Sequence, residues 1–216
     1  MHSQLIENTI AFAKQKLYAA EGGHDWFHVE RVYKNALLIS KTEDCNLLVI
    51  ELAALLHDIA DSKFHDGDES VGPQIAKDFL LSQAVPKEII SHVVSIIGNI
   101  SFKGGHPQSD FSSKELDIVQ DADRLDALGA IGIARTFNYG GFKNRELYNP
   151  AIAPNLRMTK EEYKNSTAPT FNHFYEKLLL LKDKMNTSTG KILAAQRHIF
   201  IMDFVEQFLA EWEGRR

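Results

Sequence analysis

The stretch LLVIELAALLHDIA, Leu47 to Ala60, constrains this chain more than any other. Its first ten residues carry one charge, Glu51, so a helix made from them must be covered by protein on most sides. It nevertheless ends in His57-Asp58. An imidazole and a carboxylate delivered into apolar surroundings are costly unless they are paired or bind a cation. Successive helical residues point about 100° apart, so both side chains reach one ion only from a helix flank or end, which is where they lie. Taken alone, the dipeptide also fits a helix-terminal salt bridge.

The rest of the chain reads as all-α. No alternating Val/Ile/Thr run is bounded by hairpin turns, whereas helical periodicity recurs throughout. Helices are expected from about Ser3 to Ala20, stopped by Gly22-Gly23, and from Asp25, as N-cap, to about Ser40. Further ones run over the Leu47–Ala60 stretch and from Pro86 to about Ile97. Ser112 with Glu115 makes a capping-box pattern that opens a long helix to about Phe137. Thr159 with Glu162 repeats it, and helices follow near Thr170–Met185 and Thr187–Glu213. One domain is expected over 1–216, with a core over about 20–145 and a helical extension over about 155–216.

Two other segments place chemistry on helices. In HDWFHVERV, His24 and His28 are four apart, and His28 falls on an apolar stripe with Val32, Asn35 and Ile39. His28 precedes His57 by 29 residues, room for one helix and a return turn. In VQDADRLDALGAIGIAR, Asp123 lies in line with Leu116, Val119, Ala127 and Ala130, and a second apolar row holds Ile118, Ala122, Leu125 and Gly129. Asp123 is therefore expected to point into protein, and Asp121 and Arg124 to lie toward solvent. Gly129 and Gly132 inside this helix are expected to serve close helix packing. Two histidines and two aspartates on three helices form a mixed nitrogen and oxygen set. It suits Mn²⁺, Fe²⁺, Ni²⁺, Co²⁺ or Zn²⁺ better than Ca²⁺.

The order His28, then His57-Asp58, then Asp123 resembles the HD superfamily of metal-dependent phosphohydrolases. The flanking text HDWFHVERV, LAALLHDIADSKF and DADRLDALGAIGIAR is similar to the bacterial subgroup of YpgQ-type and YedJ-type nucleotide hydrolases. The resemblance implies an HD-domain helical bundle with additional C-terminal helices packed on it. It implies His28, His57, Asp58 and Asp123 as ligands of one divalent metal ion, Mg²⁺ joining the candidates above. Asp61 would orient or deprotonate the attacking water, with Asp58 acting as ligand and catalytic carboxylate. Lys63, Arg31, His24 and Arg135 would contact the substrate, the cations holding phosphate oxygens. His92 is the one candidate for a second metal, and the scarcity of other histidines there argues for a single ion. The implied reaction is attack of metal-activated water on phosphorus in a nucleotide, with pyrophosphate released from a nucleoside triphosphate. Two further readings of the same residues stay open: a nucleotide-sensing domain with little turnover, and a di-iron oxygenase.

Charge and composition trim the partners. A formal charge of −5 is wrong for tight, sequence-independent binding to duplex nucleic acid. No apolar run is long enough to span a membrane, and the first twenty residues mix Glu7, Lys14 and Lys16 into an amphipathic pattern unlike a signal peptide. Cys45 is the single cysteine, which excludes a disulfide framework. A cytoplasmic protein is expected, with a small phosphate substrate as its partner. The apolar C-terminal helices, with Leu178–Leu181 and Phe200–Phe208, would pack internally or on a second copy, as in a homodimer.

Overall fold

A computed structural model describes residues 2–18, 25–60, 68, 70–100, 111–159, 162 and 165–216. Its described residues contain helices and turns and no strand. They divide into two compact units, Met1–Asp123 and Arg124–Arg216.

The first unit is built around the apolar stretch. Helix α1 (His2–Lys16), α2 (Trp26–Ser40), α3 (Leu47–Leu56), α4 (Val71–Ser82), α5 (Lys87–Asn99) and α6 (Lys114–Asp126) follow in order. Every residue of α3 from Val49 to Leu56 is buried. Val29, Val32, Ala36 and Ile39 of α2 and Ile90, Val93, Ile96 and Ile97 of α5 join them in the core. Glu51 is tolerated there because it is bonded twice, to His2 Nε2 at 2.6 Å and to the Tyr33 hydroxyl at 2.8 Å. Burial, and behind it that carboxylate, pushes the Tyr33 phenol well above its ordinary value.

Caps decide where these helices begin and end. Asp25 caps α2, its side chain accepting from the His28 N–H at 2.9 Å, and Asn46 caps α3 by accepting from Val49. At the start of α6 the capping hydroxyl belongs to Ser113, not Ser112. It accepts from the Leu116 N–H at 3.0 Å, while Glu115 turns aside to accept from the Asn46 N–H at 2.8 Å. Thr159 and Glu162 do form the reciprocal box, each side chain accepting the other's N–H. The helix α4 goes unmarked in the sequence because Gly72-Pro73 reads as a loop. Proline is at home in a first helical turn, and Ala76 and Leu80, four apart, fix the buried face.

The long helix expected to Phe137 is broken. α6 stops at Asp126, Ala127 and Leu128 close tight three-residue bonds to Arg124 and Leu125, and α7 (Gly129–Phe142) starts afresh. Gly129 is the reason, with φ +67° in the left-handed region that glycine adopts without strain. Gly132 lies against the Ala127 backbone, where a Cβ would collide. Gly129 also serves the close packing expected of it, since a Cβ there would press on the Arg197 side chain of the last helix at 3.1 Å, whereas Gly132 serves the turn.

In the second unit, α7 is followed by α8 (Asn172–Glu176), a 3₁₀ helix (Leu178–Lys184) and α9 (Ser188–Trp212). The single helix expected over Thr170–Met185 is interrupted at Lys177, whose φ of −141° leaves the helical region. An aromatic core holds the unit together. Phe171 stacks on Phe208 with ring centroids 4.4 Å apart, and Phe137, Phe174, Phe204, Tyr148 and Trp212 join the cluster.

His173 lies on α8. Burial, and behind it the charges of Lys177 and Arg145, pushes its imidazole from 6.5 down to about 3. Between those values the unfolded chain takes up a proton that the folded chain refuses. Stability is therefore expected to fall as the pH drops through this window, by about 2 kcal/mol at pH 5. Urea melts at pH 7 and pH 5, on wild type and His173→Asn, read this contribution as a difference that the variant lacks.

Candidate metal centre

The four residues expected to hold an ion all lie in the first unit. His28 is on the first turn of α2, buried, with its backbone N–H committed to the Asp25 cap. His57 and Asp58 come just after α3, which is shorter than the sequence suggests. The His57 Nδ1 hydrogen-bonds the Ala54 carbonyl at 2.9 Å, satisfying an oxygen that a continuing helix would have given to the Asp58 N–H. Asp123 is on α6, and its side chain is 39% exposed, so it does not point wholly into protein.

These positions converge. His28, His57 and Asp58 each offer a donor atom within 4.8 Å of the others. The His28 Nε2 lies 3.8 Å from Asp58 Oδ2 and 3.4 Å from Asp123 Oδ1. The His28 and His57 rings meet edge to face, centroids 5.4 Å apart. The second His57 nitrogen, Nε2, is buried and has no hydrogen-bond partner. With Nδ1 donating to a carbonyl, the neutral tautomer leaves a lone pair on Nε2, the arrangement of a metal-ligating histidine. Two imidazoles and the Asp58 carboxylate gathered in this way fit a divalent ion, and the Asp123 carboxylate stands beside His28. Asn35, two turns along α2 from His28, donates to the Ala122 carbonyl at 3.4 Å and so ties α2 to α6 beside Asp123. Its place on the His28 stripe was the available signal for that role.

His92 is occupied by the Ser113 hydroxyl at 3.0 Å and by Glu115 at 3.5 Å. It acts at the α6 cap. Arg31 is half-buried on α2. Arg135, expected at a phosphate, belongs to the second unit and donates to Asp126 Oδ2 at 2.7 Å. Asp121, expected in solvent, is fully buried, because Ile118 and Leu125 lie one turn to either side and carry it into the core. Arg124 likewise finds protein, donating to the Lys184 carbonyl. His24, Asp61 and Lys63 lie outside the described residues. A cavity of about 410 Å³ opens in the second unit between Tyr148, Pro150, Pro154, Phe171 and Tyr175. No charged side chain lines it. Among the described residues no helix is long and apolar enough to cross a membrane.

An all-helical fold with this His, His-Asp, Asp constellation defines a class. The HD-domain signature matches residues 26–128, the span that contains all four residues, and the chain belongs to the HD-domain family. Among its relatives is YpgQ of Bacillus subtilis, 40% identical over 193 residues that make up 89% of this chain and 86% of that one. An HD-superfamily hydrolase from Bacillus thuringiensis has the same fold at 45% identity, with a TM-score of 0.79 over 99% of both chains. The crystal structure of B. subtilis YpgQ in complex with ADP matches at 30% identity and a TM-score of 0.75, over 98% of this chain and all of that one.

Proposed function

We propose that this chain is a divalent-metal-dependent phosphohydrolase acting on nucleotides, and that it cleaves nucleoside triphosphates to the monophosphate and pyrophosphate. The observation that carries the reading is the His57 ring, with Nδ1 committed to a backbone carbonyl and Nε2 buried without a partner beside His28 and Asp58. A buried imidazole nitrogen left without a partner is costly, and a ligand there removes the cost. The complex of YpgQ with ADP supports a nucleotide as the phosphate ester.

The chain's own groups divide the work. His28, His57, Asp58 and Asp123 hold the ion, the carboxylates supplying charge and the imidazoles direction. When bound, the ion polarises a phosphoryl oxygen and makes water more acidic. Asp61 orients the attacking water and takes up its proton. Lys63 and Arg31 hold phosphate oxygens as charge develops on them, and His24 is the further residue assigned to substrate contact.

A turnover screen tests this. Metal-stripped protein is given nucleoside triphosphates, diphosphates and simple phosphate monoesters with Mn²⁺, Mg²⁺, Co²⁺, Ni²⁺ or Zn²⁺, and phosphate and pyrophosphate are both measured. The expected result is metal-dependent pyrophosphate release from triphosphates, abolished by chelator. Equal release with and without metal contradicts the reading, and tight nucleotide binding with no product favours a sensing domain.

A further inference from the structure

We infer that Arg197 is a positioning residue for the metal centre: it clamps the last turn of α6 and so sets where the Asp123 carboxylate stands. The inference rests on the metal-centre reading above, with Asp123 as the ligand that α6 supplies. Arg197 lies on the inner face of α9, between the buried Ala194 and Ile201. An arginine there is costly unless its guanidinium is engaged. It donates from Nη1 to the Leu125 carbonyl, and Gly129 leaves room for its stem, since a Cβ at that glycine would stand 3.1 Å from Arg197 Cγ. The last four carbonyls of a helix have no partner within it, so its final turn is held by whatever else reaches them. A cation placed there also meets the negative end of the helix dipole.

Asp123 needs such a clamp. Its side chain is 39% exposed, so packing around the carboxylate does not hold it in place. Its separation from His28 Nε2, 3.4 Å, therefore follows from the backbone of α6. That backbone is pinned on both sides of Asp123. Asn35 donates to the Ala122 carbonyl one residue before it, and Arg197 to the Leu125 carbonyl two residues after. Beyond Leu125, α6 ends at Asp126 and the chain turns, so no further helical turn keeps the register once Arg197 is lost. Arg135 engages the carbonyl and carboxylate of Asp126 together and so ties the turn itself to α7.

Mn²⁺ titrations followed by calorimetry on the full chain test this without turnover. Arg197→Ala is expected to weaken Mn²⁺ binding about tenfold, the low end of what groups behind a metal ligand contribute. Arg197→Lys, which keeps a donor and a cation, is expected to recover most of that loss. A double-mutant cycle separates positioning from general support of the fold: in an Asp123→Ala background, Arg197→Ala is expected to cost nothing further. If Asp123→Ala holds too little Mn²⁺ to titrate, Mn²⁺-loaded crystals of Arg197→Ala decide. There the Asp123 carboxylate is expected to stand off the ion while His57 and Asp58 stay on it. Should Arg197→Ala fold poorly, Arg197→Met, which keeps the packed stem and drops the donor, takes its place. A variant that binds Mn²⁺ as tightly as wild type overturns the inference and leaves the metal centre standing. So does an equal loss with and without Asp123, or an Asp123 still on the ion. A wild-type chain that binds no Mn²⁺ overturns the metal-centre reading itself, and the inference with it.

Discussion

Replacing His57 with alanine is expected to abolish metal retention and nucleotide turnover while leaving the metal-free protein as stable as wild type, or slightly more so. The two halves of that result have different causes. Removing the hydrogen-bond partner of a metal-ligating histidine alone costs about 10–100-fold in affinity, so deleting the ring itself should cost at least about 100-fold. In the metal-free protein, however, the ring holds a buried Nε2 with no partner, and relief of that penalty offsets the loss of the Nδ1 bond to the Ala54 carbonyl. The competing view, in which these residues are a structural salt-bridge cluster, predicts the reverse for stability. Metal analysis, turnover and urea melts of metal-free wild type and variant separate the two. A clear loss of metal-free stability with metal content intact contradicts the assignment.

Asp126→Ala is expected to be the most destabilising polar substitution in the second unit, at about 3–5 kcal/mol. The Asp126 carboxylate is buried and receives Arg135 at 2.7 Å, while its carbonyl receives the same guanidinium at 3.2 Å. Arg197 shares this neighbourhood, donating to the Leu125 carbonyl. Burial depresses its guanidinium, and Asp126 opposes that effect. Without the carboxylate, two partly buried guanidiniums lose their counter-charge next to the α6–α7 turn. For a chain of this size the loss corresponds to about 10 °C in melting temperature. Replacing Asp126 and Arg135 together by apolar residues of similar volume should recover much of it, since a well-packed neutral pair avoids the desolvation cost of a buried ion pair. A melting temperature within a degree or two of wild type for Asp126→Ala would show that the pair holds nothing together.

The fold class was legible in the sequence because helical spacing and caps are local properties. Asp25 caps α2 as read, the last helix begins beside Thr187 where it was expected to, and the largely apolar α3 lies in the core. The convergence of His28 with His57-Asp58 was legible through company: no one of the motifs is decisive, but their order and spacing are. What escaped depends on backbone dihedrals and on partners distant in the chain. Gly129 reads only as a packing glycine until its positive φ reveals a turn. Asp121 reads as solvated if the two apolar rows are drawn without it, although Ile118 and Leu125 bracket it by one turn on either side. Ser112 and Ser113 offer the same hydroxyl, and the choice between them rests on Glu115 being drawn away to Asn46, 69 residues earlier. Glu51 could be placed in the core, but nothing nearby in sequence announces His2 and Tyr33 as its partners.

The proposed convergence of four side chains on one cation is tested most directly by anomalous diffraction from crystals grown with Mn²⁺. A single strong peak is expected within about 2.5 Å of a nitrogen of His28, Nε2 of His57 and a carboxylate oxygen each of Asp58 and Asp123. No peak between these residues under saturating metal, or a peak that Asp123 and His57 do not share, would contradict the account.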